Sequence, residues 1–183
     1  MAVITLSISA FIGCAYAYIY LNSTSSHQSA DATQSHIPYS NIPSTVKLRV
    51  IFPDNSNMLL TLDFADVSIT ADFTDDYTAS DYTIKTNEEA LSGFIDRLGG
   101  IEIFYDNTVF RYTGLQAVRL SADGYVEKSK TVNAVFAKIA SDGITRPQLT
   151  YLLEHCHTDL SVVDCFSWPE WLKNMCCYVT IIK

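Results

Sequence analysis

Positive charge is scarce in this sequence. Its 183 residues carry 12 Lys and Arg against 20 Asp and Glu, a formal charge of −8 at neutral pH. Nucleic-acid binding needs a basic stripe facing the phosphates, so the charge balance argues against that partner. No basic run fits an anionic lipid surface either. The familiar catalytic signatures are also missing: there is no nucleophile elbow, no HExxH and no glycine-rich nucleotide loop. Of four histidines, His27 and His36 fall in a polar N-terminal stretch. His155 and His157 belong to no motif that makes a general base. Carboxylates are plentiful, yet no pair stands apart from ordinary surface acid.

Metal-binding patterns are thin as well. Five cysteines are present, at 14, 156, 165, 176 and 177, with no CxxC among them. His155, Cys156 and His157 with Asp159 and Asp164 can be drawn as a cluster, but adjacent residues on a helix point in different directions. The four late cysteines read as small buried hydrophobes, with a Cys156–Cys165 disulfide as the alternative if the domain lies outside a membrane. Asp72, Asp75 and Asp76 lie in the acidic stretch 71–81, which lacks the spacing and the glycine of a calcium loop. It reads as a solvated loop or edge.

The one long hydrophobic run is at the N-terminus. MAVITLSISAFIGCAYAYIYL, residues 1–21, contains no charged side chain. Roughly 20 residues at about 1.5 Å each span a hydrocarbon core. Tyr16, Tyr18 and Tyr20 would sit near one interface, where amphipathic rings are favoured. The expectation is a transmembrane or signal-anchor helix over 1–21, followed by a polar tether over 22–43. The alternative is a buried element of a soluble domain. No positive n-region precedes the run, and the first Lys is Lys47, too distant to orient the helix. Cys14 and the Ala15–Tyr16–Ala17 triplet fit lipoprotein and signal-peptidase processing only weakly. Asn22-Ser23-Thr24 fits a glycosylation pattern, relevant only in a glycosylating pathway.

Residues 44–183 suffice for one domain with a real core. Eleven Tyr and nine Phe argue against disorder there. TVKLRVIF (45–52) alternates and is β-branched, PDNSN (53–57) turns, and 58–70 returns as one long strand or two shorter ones. Residues 86–98 form a helix, with Thr86 and Glu89 fitting a capping box and Asn87 an alternative cap. Leu91, Phe94, Ile95 and Leu98 make its apolar face, and Gly99-Gly100 ends it. Strands follow over 101–105 and 108–112, and a short helix over 114–120. Further helices are expected over 127–140, 146–154 and 161–175, with Pro169 as a point of division in the last. A strand over 176–182 closes the chain. The fold class is α/β, a mixed sheet with amphipathic helices packed on it. Trp168, Trp171 and Met175 share a helix face, which reads as a core stripe, with a binding surface as the alternative.

Four pieces of this domain resemble the LytR-CpsA-Psr (LCP) family of bacterial envelope enzymes. STVKLRV with Pro53-Asp54 and Leu59-Leu60 is similar to the family's first hairpin. LSGFIDRLGGIEI (91–103) is similar to its helix ending in Leu-Gly-Gly-Val before a strand. TGLQAV (113–118) is similar to its Ser-Gly-Glu-Gln-Ala-Leu element, and 132–138 with 158–161 to its late helices. The resemblance implies a short membrane helix and an extracytoplasmic α/β domain. It also implies transfer of polyprenyl-pyrophosphate-linked glycopolymer to peptidoglycan, usually with a divalent cation such as Mg2+.

The chain departs from that pattern where the chemistry lies. In place of the family's Arg-Asp step after the second strand stands Thr61-Leu62-Asp63-Phe64-Ala65. Of the Asp-Arg-Arg-Gln series only Asp123 stands where expected. Lys128 and Lys130 can match arginines in charge but not as bidentate clamps. These departures imply a divergent, non-catalytic relative at the cell membrane. Its partner would be an envelope polymer, a lipid-linked glycan or a protein, and no cofactor is implied. One alternative is an active phosphotransferase in which Arg111, Arg119, Lys128 and Lys130 rebuild the clamp around Asp63 or Asp66 and Mg2+. The other is an unrelated membrane-tethered interaction domain.

Overall fold

Alternating apolar residues build the first strand of the domain. The computed structural model describes residues 43–73, 80–105, 107–161 and 168–182. The leader 1–21, the polar tether as far as residue 42, Cys165 and Asp75-Asp76 lie outside the described residues. Strand β1 (Thr45–Ile51) pairs antiparallel with β2 (Asn57–Asp63), which sets Val46 opposite Leu62 and Leu48 opposite Leu60. Of the two readings of the return over 58–70, the structure takes the pair of shorter strands, because the chain turns after Asp63. One oxygen of the Asp63 carboxylate accepts from the backbone N–H of Ala65 and of Asp66, both at 3.0 Å. Val67 follows at φ 51°, a left-handed conformation that a β-branched residue rarely takes. Strand β3 (Ser68–Asp72) then pairs antiparallel with β2.

Strand β4 (Tyr82–Lys85) is not legible in the sequence as a separate element, being four residues long and half polar. It pairs parallel with β1 and antiparallel with the two-residue β7 (His157–Thr158). At the other edge β8 (Val179–Ile182) pairs parallel with β3, giving a six-stranded mixed sheet in the order β7-β4-β1-β2-β3-β8.

Helix α1 (Glu88–Arg97) is capped by Asn87, whose side-chain oxygen accepts from the Ala90 N–H at 2.7 Å. The capping-box candidate Thr86 is engaged elsewhere. Its hydroxyl donates to the Ile51 carbonyl at 2.9 Å, tying the helix start to the end of β1. Gly99 and Gly100 at φ 86° and 84° then redirect the chain, as two successive left-handed residues can. The hairpin of β5 (Ile101–Tyr105) and β6 (Thr108–Tyr112) consequently forms a separate two-stranded sheet rather than joining the main one. Its Ile101 and Ile103 are buried, while Phe104, Val109 and Phe110 are exposed.

Among the described residues four more helices follow: α2 (Gly114–Ala122), α3 (Lys128–Asp142), α4 (Arg146–His155) and α5 (Trp168–Met175). Gly114 lets α2 meet α1: a Cβ there would stand 1.8 Å from the Ser92 carbonyl oxygen. The Gly114 N–H is instead held by Asp96 of α1 at 2.7 Å. Thr145 and Gln148 form a capping box on α4. Pro169 falls in the first turn of α5 as described, where its missing N–H has no helical partner to lose.

The helices cover one face of the sheet. Val46, Leu48, Met58, Leu62 and Ile69 from the strands pack with Phe94, Phe136, Ile139 and Leu153 from the helices. Trp168 and Met175 belong to this core, so their shared face is a core stripe. A second cluster of Ile95, Ile101, Ile103, Ala117 and Val118 sits beneath the hairpin. Among the described residues, no helix is long and apolar enough to cross a membrane.

Candidate functional site

The main core is incompletely filled. Between the helix-covered face of the sheet and α1, α3 and α4 lies a cavity of about 270 Å³. Leu48, Val50, Leu60, Leu91, Val132, Val135 and Leu152 are among the apolar side chains that line it. A cavity of about 150 Å³ lined by such residues stays dry and holds a benzene-sized group, so this one has room for roughly eleven carbons. The alternation of β1 and β2 and the 3.6-residue period of α1 and α3 place these side chains on facing surfaces. Partly buried residues such as Leu91, Val132 and Val135 leave the gap between them.

Polar groups concentrate at one rim. Asp54 from the β1–β2 turn, Glu88 from α1, Arg119 and Ser121 from α2 and Lys128 from α3 contribute to the lining there. Lys128 Nζ donates to Asp54 Oδ2 at 2.6 Å and to Ser56 Oγ, and lies 5.0 Å from the centre of the Phe52 ring. Burial raises the Asp54 carboxyl, but the hydrogen bonds from Lys128 and Ser56 outweigh it and hold its pKa at about 2. Arg119 Nε donates to Glu88 Oε1 at 3.2 Å. That second pair is well exposed and contributes little to stability. Each rim cation therefore faces a carboxylate.

Among the described residues, one buried side-chain polar atom close to this lining has no hydrogen-bond partner. Thr131 lies one helical turn beyond Lys128 on α3 and is 8% exposed. Its hydroxyl oxygen is buried without a hydrogen bond. Leaving a hydroxyl in that state costs about 1–3 kcal/mol. By contrast, the hydroxyl of Thr86, which also lines the cavity, is used by Ile51.

No family model matches the sequence, and no curated protein matches it. Solved structures do match. TagT, solved bound to LI-WTA, superposes with a TM-score of 0.58 over 85% of this chain and 86% of its own, at 13% identity. Bacillus subtilis TagV gives 0.55 over 78% and 86% at 9% identity. Lin1025 of Listeria innocua gives 0.57 over 75% and 81% at 13% identity. The chain has the LCP fold.

Within the LCP fold, the residues proposed from sequence do not all meet. Arg119 and Lys128 reach the cavity rim together. Arg111 is absent from the lining; it sits on the hairpin and donates to the Gly99 carbonyl at 2.9 Å. Lys130 is exposed and likewise absent from the lining. Asp123 is the C-cap of α2, its backbone N–H bonded to the Arg119 carbonyl. Asp63 and Asp66 belong to the β2–β3 turn, at the Thr45 end of β1. Asp54 lies beyond the Ile51 end, so about seven residue steps of 3.3 Å, roughly 20 Å, separate the two sites. Asp63 thus holds a turn together and does not face the rim cations.

Asp54, Ser56, Glu88 and Thr131 join the site without any sequence signal that marks them. In sequence they are turn residues, a first-turn acid and a threonine in a helical run. Only the pairing of β1 with β2 and the packing of α3 bring them to one place. Among the described residues, no group of three or more His, Cys, Asp or Glu is placed to hold a metal ion. His155 instead packs against Tyr151, the two rings tilted by 32° with centres 3.9 Å apart. Cys156, Cys176 and Cys177 are free thiols. Burial pushes the Cys156 pKa up to about 11 and that of Cys176 to about 12, which makes both poor nucleophiles.

Proposed function

We propose that this chain is a membrane-anchored, extracytoplasmic LCP-fold domain that captures the hydrocarbon chain of a cell-envelope lipid and does not transfer its headgroup. The observation that carries the reading is the apolar cavity beneath a rim of paired charges. Residues 1–21 would supply a single-pass anchor and 22–43 the tether, keeping the cavity near its ligand. The solved complex of TagT with LI-WTA supports a ligand drawn from glycopolymer assembly, with the peptidoglycan layer as the surroundings. The exclusion of catalysis is a matter of charge. A diphosphate leaving group needs preorganised cations, and losing even one such contact costs about 3 kcal/mol of transition-state stabilisation. Here two cations reach the rim, each paired, and the Arg-Asp step is gone.

The full chain, incubated with a polyprenyl-diphosphate-linked saccharide, Mg2+ and peptidoglycan, is expected to yield no glycan attachment above the protein-free control. Attachment that depends on the protein and is lost in Arg119→Ala would restore the transferase reading, with Mg2+ as its cofactor.

A further inference from the structure

Exposed apolar surface is not spread evenly over this domain. Among the described residues seven large hydrophobic side chains are exposed, and five of them lie between Phe104 and Tyr125. Three of those five, Phe104, Val109 and Phe110, belong to the β5–β6 hairpin. We propose that the outer face of this hairpin is a bilayer-docking surface, which lies flat on the membrane with Phe104 and Val109 in the headgroup boundary. This rests on the membrane-anchored reading above and adds a second contact with the same bilayer.

The cross-strand register sorts the hairpin into two faces. Ile101 with Tyr112 and Ile103 with Phe110 share the face turned to the second core cluster, where both isoleucines are buried. Phe104 with Val109 and Glu102 with Arg111 share the other. Phe104 is 62% exposed and Val109 57%. Glu102 and Arg111 are exposed beside them and opposite in charge, so this face is formally neutral. Asp106 and Asn107 join the two strands. Insertion tip first would carry that carboxylate into hydrocarbon, whereas a hairpin lying flat leaves it in water.

The chain outside the described residues favours a bilayer over a second copy. An uncharged run over 1–21 and a polar stretch over 22–43 precede the domain. Those 22 polar residues reach at most about 75 Å. A compact domain of about 140 residues is roughly 40 Å across, so such a tether lets any face meet the lipid. Tethering also raises the local concentration, so a small contact is enough to hold the face down. A dimer built on this face asks for more. Five residues by two strands make about 17 by 10 Å, roughly 170 Å². A stable interface needs about 800 Å² from each partner. The overall charge of −8 opposes an anionic surface, but salt screens it beyond about 8 Å. Apolar rings and not charge therefore carry the contact, in keeping with a chain that has no basic run.

The test places the full chain in phosphatidylcholine nanodiscs, with and without brominated acyl chains. The reporter is Val109→Trp, read after subtracting the wild-type signal of Trp168 and Trp171. The added indole is expected to emit at shorter wavelength than in water and to be quenched about twofold by bromolipid, as for a ring at the membrane interface. Tyr178→Trp, at an equally exposed position before β8, should show neither effect. Phe104→Asp combined with Val109→Trp should abolish the quenching and leave the melting temperature unchanged, since Phe104 is largely exposed. Quenching that is absent at position 109, or equal at 109 and 178, would overturn docking and leave the anchor standing. A blue shift without quenching, in discs that hold two copies, would overturn docking and assign the face to a second copy. Chains that do not co-elute with the discs would overturn the anchor, and docking with it.

Discussion

Trp168→Ala is expected to cost about 3–5 kcal/mol of folding stability, the range for a buried tryptophan whose site cannot collapse. Trp168 is 5% exposed and packs on Phe64 with ring centres 6.1 Å apart. Its neighbour Trp171 meets the same Phe64 edge to face at 6.0 Å but is only half-buried. Truncating Trp171 should therefore cost roughly half as much, in proportion to the apolar area lost. Thermal melts of the full chain read the difference. For a domain of this size the Trp168 change corresponds to a fall of about 10 °C or more. Unchanged melting in both variants would place the aromatic face on a binding surface instead of in the core.

The aromatic stripe is legible in the sequence because helical spacing of large apolar residues has one common cause, a buried face. The β1–β2 hairpin and α1 are legible for similar reasons, since strict alternation and a Leu-Gly-Gly stop are local signals. What the sequence does not show is what depends on distant pairing. Strand β4 escapes notice because four residues, of which Ile84 alone is buried, carry no period of their own. The β5–β6 hairpin reads as part of the main sheet, and only the two left-handed glycines before it decide otherwise. Thr86 matches a capping box by spacing, but its hydroxyl is claimed by Ile51, 35 residues away in sequence.

The candidate site follows the same division. Arg119 and Lys128 stand out by their charge and their place in the family pattern, and both reach the cavity. Asp63 stands out as a carboxylate near the lost Arg-Asp step, and it serves the turn that divides β2 from β3. The partners that define the rim, Asp54 and Glu88, are separated from Lys128 and Arg119 by 74 and 31 residues. No spacing rule reaches that far.

Plugging the cavity should abolish lipid capture without harming the fold. Val132 lines the cavity from α3 and is half-buried. Val132→Phe adds four carbons to space that is otherwise empty, so the usual penalty for overpacking is small or reversed. The same carbons displace about four methylene groups of a bound chain. At about 0.8 kcal/mol each, roughly 3 kcal/mol of binding is lost. That is a fall of about 100-fold or more in affinity. Titration of the full-length variant with farnesol, beside a thermal melt, checks both halves. Wild-type affinity in a correctly folded variant would mean that the lipid chain lies elsewhere.

The lipid content of the protein itself provides the most direct test of capture by this cavity. The full chain is purified in detergent from the cells that make it, extracted with organic solvent and analysed by mass spectrometry, with Val132→Phe treated in parallel. The wild type should yield one linear-chain lipid in roughly equimolar amount, reduced to trace levels in Val132→Phe. The same trace lipids from both proteins would contradict the assignment of this cavity as a lipid site.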